Sequence, residues 1–158
     1  MRLRWTLGLA VAALTVSNGF ADEPKWKQHT INGKSEFEAA GVFDVDNDGK
    51  LDIISGDTWY QSPDWQPHHI RDVPRVGTYY NDFATLPIDV NGDGNTDFIT
   101  VSYFGKDVGW VENPGKSGSP WAYHEIDVPG PSEAAATVGL TGDGVPDILP
   151  NPVTVVAW

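Results

Sequence analysis

The 158-residue sequence predicts an all-β fold assembled from repeated units of four antiparallel strands. Three markers, recurring in a fixed order, carry that expectation. The first is Trp-x-x-His-x-Ile, at Trp26/His29/Ile31, Trp65/His68/Ile70 and Trp121/His124/Ile126. The second is an acidic, glycine-containing loop, at Asp44, Asp46, Asp48, Gly49 and Asp52, again at Asp89, Asn91, Asp93, Gly94 and Asp97, and in decayed form at Gly139, Thr141, Asp143, Gly144 and Asp147. The third is an aromatic turn, Trp59 to Pro63 and Trp110 to Gly115, with Trp158 standing where a further copy would start. A period of about 40 to 55 residues is that of β-propeller blades, which bury their apolar faces only by stacking on one another.

Taken along the chain, Met1 to Arg4 is basic, Thr6 to Val16 is an apolar run, and Gly19-Phe20-Ala21 supplies small residues. Those are the parts of a signal peptide over residues 1–21, cleaved after Ala21, so a secreted, periplasmic or cell-surface location is expected. The 11-residue apolar run is too short to span a bilayer, and without cysteine there is no lipidated anchor. Residues 22–158 then read as an incomplete propeller domain. An orphan outer strand is expected at 26–31, followed by units at about 32–71, 72–127 and 128–158.

Within a unit, one strand runs into the acidic loop (Phe37 to Val45), one leaves it, a short one carries Trp59, and one covers Trp65 to Ile70. Propellers close with about four to eight blades, so about three blades make the expectation a fragment of a larger propeller. His29, His68 and His124 recur on the same strand face as the following Ile, which predicts packed or hydrogen-bonded core histidines, with Trp59 and Trp110 as blade-packing aromatics.

The acidic loops carry the clearest chemistry. Oxygen ligands at alternate positions converge on one side of a tight loop, glycine permits the turn, and the seventh-position carbonyl (Lys50, Asn95) can complete the shell of a hard cation. Two carboxylates about 4 Å apart repel by roughly 4 kcal/mol at an effective dielectric near 20, so such a loop asks for a counter-ion. Calcium is the expected ion. Its candidate ligands are Asp44, Asp46, Asp48, Lys50 and Asp52 in the first loop, Asp89, Asn91, Asp93, Asn95 and Asp97 in the second, and more weakly Thr141, Asp143 and Asp147 in the third. An EF-hand is excluded, because position twelve is Ser55 or Thr100 instead of Glu and the flanks are short, β-branched or aromatic segments.

On these residues the chain resembles FG-GAP/VCBS-type repeats, the calcium blades also found in integrin alpha-subunit propellers. The resemblance covers nearly everything after the first two dozen residues. It implies calcium at the first two loops; in the third, Gly139 and Thr141 replace the first two Asp.

The formal net charge is −12, and the leader carries Arg2 and Arg4, so the remainder is more acidic still. Such a chain is a poor partner for nucleic acid. Without cysteine there is no disulfide to staple an exported fold, which leaves calcium as the clip.

Departures from the repeat point to recognition. The interval from the Ile marker to the acidic loop is 13 residues in the first and third units and 19 in the second, Ile70 to Asp89. The interval from loop to aromatic turn grows from 15 residues, Asp44 to Trp59, to 21, Asp89 to Trp110, adding Tyr103, Phe104 and Lys106. Extra loops on a rigid frame are where binding groups tend to sit. The expectation is that Arg75, Tyr79, Tyr80, Asn81, Asp82 and Lys106 line one polar pocket for a carbohydrate or protein ligand.

The run Tyr79 to Phe83, continued through the second loop to Trp110-Val111-Glu112-Asn113-Pro114, also resembles the propeller of aldos-2-ulose dehydratase-type proteins. That resemblance implies a sugar site near His69, Tyr80, Asn81 and Asp82, although no nucleophile-base pair is legible. The leading expectation is a calcium-binding propeller module for ligand or partner binding. The alternatives are the propeller part of a sugar lyase, dehydratase or isomerase, and a structural spacer in a larger surface protein.

Overall fold

The computed structural model describes residues 25–117 and 120–152. The leader expected at 1–21 and the Trp158 marker lie outside the described residues. The chain divides after Thr30. Residues 25–30 carry no strand, and Trp26 is 91% exposed. The outer strand expected at 26–31 is therefore not formed: a strand exists only through a ladder partner, and among the described residues none pairs with this segment.

The unit beginning at Ile31 is all-β, with antiparallel pairing throughout. Its first sheet is a four-stranded meander, β1 (Gly41–Phe43), β2 (Asp52–Ser55), β3 (Thr58–Gln61) and β4 (Gln66–His69), in that spatial order. A hairpin of β5 (Arg75–Val76) and β6 (Tyr79–Tyr80) follows, falling within the first of the two insertions. The second sheet repeats the meander with β7 (Leu86–Ile88), β8 (Asp97–Val101), β9 (Val108–Glu112) and β10 (Ala122–Asp127). β11 (Ser132–Val138) and β12 (Asp147–Pro152) form a two-stranded third sheet. A 3-10 turn, Gly115–Ser117, lies between β9 and β10. The first strand of the first sheet is shorter than the expected Phe37 to Val45: Phe37 packs its ring over Gly56 and against Tyr80 (centroids 4.4 Å), and the ladder starts only at Gly41.

Strand alternation sorts the apolar residues into two layers. Phe98 and Val111, directly opposite each other on β8 and β9, point to the first sheet and meet Phe43, Val45, Ile54 and Ile70, flanked by Trp59 and Trp121. Their neighbours Ile99, Val101 and Val108 point the other way, against Ala135 and Ile148 of the third sheet. All five residues of β8 are buried, since this strand has a sheet on each side. The opening strands sit together at one edge of the stack, β1 beside β7 and β11 beside β7 and β8.

Polar ties complete the stack. The Asn113 amide, 2% exposed, donates to the Val45 carbonyl of the first sheet (2.8 Å) and to Thr96 O (3.1 Å), while its Oδ1 accepts from Gly115 N (3.0 Å). Trp121 N donates to Ile70 O (3.2 Å), and Ser132 N to Ser102 O (3.3 Å), so backbone bonds also cross from sheet to sheet.

Candidate functional site

The three acidic loops share one backbone path although their side chains differ. The fourth loop position is left-handed in each, at Asn47 (φ 59°), Gly92 (φ 73°) and Gly142 (φ 72°). So is the sixth, at Gly49 (φ 85°), Gly94 (φ 84°) and Gly144 (φ 90°). Only Gly, and less often Asn, adopts this conformation cheaply. That requirement was readable in the sequence, where Asn, Gly and Gly stand at the fourth position.

The path is held by carboxylates accepting backbone N–H groups. Asp44 accepts from Asp48 N (3.1 Å) and Gly49 N (2.8 Å). Asp89 accepts from Gly92 N (2.8 Å), Asp93 N (3.2 Å) and Gly94 N (3.0 Å). At position five, Asp48, Asp93 and Asp143 accept from Lys50 N (2.9 Å), Asn95 N (2.7 Å) and Val145 N (2.8 Å). Each of these three carboxyls is held below the ordinary carboxylate value. The main cause is the Lys50 ammonium for Asp48, the Asn95 N–H for Asp93 and the Val145 N–H for Asp143.

In the first loop Asp44, Asp46 and Asp48 each present an oxygen within 4.8 Å of the others. This oxygen-only donor set fits a hard cation such as calcium. Lys50 Nζ lies 2.5 Å from Asp48 Oδ2, placing a side-chain cation against the same group. Gln61 Nε2 donates to Asp46 Oδ2 (2.6 Å), and in the second loop Asn91 Nδ2 donates to Asp93 Oδ2 (3.2 Å). The first two loops also touch: Asn47 Nδ2 donates to Gly94 O (3.1 Å) and Asn95 Oδ1 (3.3 Å).

The ninth loop position has a different setting. Asp52, 1% exposed, accepts from Val45 N (3.2 Å) on one oxygen and from Ser62 N (2.8 Å) on the other. Asp97, fully buried, repeats this with Val90 N (3.0 Å) and Asn113 N (2.7 Å). Asp147 accepts from Leu140 N (2.6 Å) and Thr141 N (3.1 Å). These residues brace the loop against its own sheet and, in the first two units, against the aromatic turn. Burial raises the Asp97 carboxyl above the ordinary value, against the pull of the N–H groups of Asn113 and Val90.

The six residues expected in one pocket are spread over different settings. Arg75 pairs with Glu36 (3.3 Å) at the surface, its guanidinium 5.0 Å from the Tyr80 ring centre. Tyr79 is exposed beside Phe104. Asn81 is a pin, donating to Ser102 Oγ (2.6 Å) and accepting from Phe104 N (3.1 Å). Asp82 is fully buried, accepting on Oδ1 from Arg71 Nη2 (2.6 Å) and Thr100 Oγ1 (2.8 Å), with its Oδ2 unpartnered. Lys106 is exposed in a left-handed turn (φ 67°), and its carbonyl accepts from Gly130 N (3.1 Å). What the structure does join is the two insertions. Tyr79, Phe83, Tyr103 and Phe104 form one partly exposed aromatic cluster with ring centroids 5.2 to 6.5 Å apart.

The repeated histidines are packed and hydrogen-bonded, but not in a core. His68 stacks on Trp59 (4.5 Å) and His124 on Trp110 (4.3 Å), each the cross-strand partner of its Trp. His68 Nε2 lies 3.2 Å from Gln61 Oε1, and His124 Nε2 lies 2.7 Å from Glu112 Oε2. Both occupy the outer strands β4 and β10, which leaves His68 exposed and His124 partly so. His29 falls in the strandless segment and is exposed. His69 stands at the surface, 3.3 Å from Asp72 and 3.8 Å from Asp57.

A feature not anticipated from sequence is a cleft of about 1060 Å³ between the two four-stranded sheets. The first sheet contributes Trp59, His68 and His69, the second Tyr123, with Asp107 and Trp121 immediately before β9 and β10, and Arg71 and Asn81 also line it. Of the six expected pocket residues, only Asn81 is among its lining. Arg71 is almost wholly consumed, with its side chain 10% exposed, Nε on Gly56 O (3.1 Å), Nη2 on Asp82, and its plane over Phe98 (5.1 Å). The Tyr123 hydroxyl donates to Asp107. Partial burial and that carboxylate raise the phenol well above its ordinary value of 10.0.

No family model, curated protein or solved structure matches the chain.

Proposed function

We propose that the chain is a secreted calcium-binding β-propeller repeat module of the FG-GAP/VCBS type that serves ligand or partner binding, the ligand being a carbohydrate or a protein. The observation that carries this reading is the threefold recurrence of one loop path, left-handed at the fourth and sixth positions, with three carboxylates converging in its first copy. Two successive four-stranded meanders and the start of a third, stacked with their opening strands together, support the blade interpretation. The aromatic cluster built by the two insertions of the second sheet supports a binding role on that blade.

Isothermal titration with calcium tests the reading. Affinity is expected to fall from first loop to third, because the carboxylates at loop positions one, three and five number three, two and one. Asp48→Ala and Asp93→Ala should each remove one site; unchanged stoichiometry in both would overturn the calcium assignment.

A further inference from the structure

We infer that the cleft between the two four-stranded sheets is a binding site for a neutral saccharide, separate from the aromatic surface of the insertions. The inference rests on reading the chain as a ligand-binding module and does not depend on metal at the acidic loops. A volume of about 1060 Å³ is at the upper end of ligand sites, which run to roughly 1,000 Å³. Its walls carry indole rings from both sides, Trp59 and Trp121, with the half-exposed Tyr123 phenol beside them. Flat aromatic surface interleaved with hydrogen-bonding groups suits a ring with one apolar face and a hydroxylated edge.

Charge narrows the class. The guanidinium of Arg71 is committed to Asp82 and Gly56, so an anion entering the cleft meets no uncompensated cation on its inner wall. Asp107 already accepts the Tyr123 hydroxyl, and that phenol stays protonated at neutral pH. Leaving aside Asp46, which belongs to the first acidic loop, the lining carries Asp72 and the exposed Lys116, one charge of each sign, and so no net attraction for an anion. Phosphorylated and uronic ligands are thus disfavoured against neutral sugars. With its proton given to Asp107, the Tyr123 oxygen and the remaining Asp107 lone pairs are acceptors for the hydroxyl groups of a ligand.

The test is titration of the protein, followed by tryptophan fluorescence and calorimetry, with cellohexaose, xylohexaose and chitohexaose and with an oligogalacturonate as the anionic comparator. At least one neutral hexamer should bind more tightly than the oligogalacturonate. Trp121→Ala should weaken that binding by about 2- to 12-fold, the range for one aromatic contact. Tyr123→Phe should weaken it by about 2- to 12-fold, the range for one hydrogen bond. Tyr123→Phe keeps the ring over Gly109 and removes only the hydroxyl, so its result stands even where Trp121→Ala folds poorly. Tyr79→Ala, on the insertion surface, should leave the affinity unchanged. The inference is overturned if no neutral hexamer binds, if the oligogalacturonate binds more tightly, or if Tyr79→Ala abolishes binding while Tyr123→Phe preserves it. That last result would keep carbohydrate binding and move it to the insertions.

Discussion

Removing the Asn113 side chain tests how the first two sheets are held together. In Asn113→Ala three hydrogen bonds vanish, those to Val45 O, Thr96 O and Gly115 N. At roughly 0.5 to 1.5 kcal/mol each, and with the carbonyls left in a buried setting, the loss is about 2 to 4 kcal/mol. For a domain of this size, that is a fall in Tm of roughly 6 to 12 °C. The assay is urea denaturation followed by far-UV circular dichroism and by tryptophan fluorescence, with calcium held constant. Asn113→Asp should be at least as damaging, because it turns a carboxylate toward the carbonyls that the amide had served. Asn47→Gly is the control: it removes exposed bonds to the second loop while keeping a residue that adopts the left-handed φ of 59° cheaply, and should cost less than about 1 kcal/mol. Equal effects at Asn113 and Asn47 would refute the claim that the buried amide ties one sheet to the next.

Gly56→Ala and Gly49→Ala should separate steric from conformational cost. Both glycines have positive φ, but a Cβ at Gly56 would lie 2.1 Å from the Phe37 ring, whereas none of the surroundings of Gly49 comes within 4 Å. Gly49→Ala is expected to cost about 1 to 2 kcal/mol, and Gly56→Ala substantially more; equal costs in thermal melts would contradict the packing. Chelation with EDTA should lower Tm, since binding to the native state alone is worth about 2.7 kcal/mol per site at a hundredfold excess over Kd; a shift of under about 1 °C would count against structural calcium.

In alkaline titration at 295 nm, one of the five tyrosines should ionise late, and Tyr123→Phe should abolish that late phase. Because the folded-state phenol is raised above its unfolded value of 10.0, its contribution to stability is complete below pH 10 and is lost as pH rises beyond it. A Tyr123→Phe protein with the same stability loss above pH 10 would refute the assignment.

The strands and loops of this protein were legible because they are local. Period-2 apolar alternation, the Asp/Asn/Gly spacing of the loops and the Trp markers place β2, β3, β8 and β9 almost where they lie, and the two length differences locate the insertions. Residue type alone did not separate the ninth-position aspartates from the others. Asp52 and Asp97 look like further ligands in the sequence, and only the fold turns their oxygens to the backbone of the aromatic turn. The insertion residues likewise share a segment but not a destination. Arg71 and Asp82 meet because one must neutralise the other beneath Phe98, which takes Asp82 out of any open pocket. Tertiary structure also decided the histidines: their strand is the outer one of each sheet, so a recurring residue that reads as core is a surface stack on Trp. The cleft was beyond local reasoning. Trp59 and Trp121 stand more than sixty residues apart, and only the face-to-face stacking of two sheets, driven by burial of Phe98 and Val111, puts them on one wall-lined space.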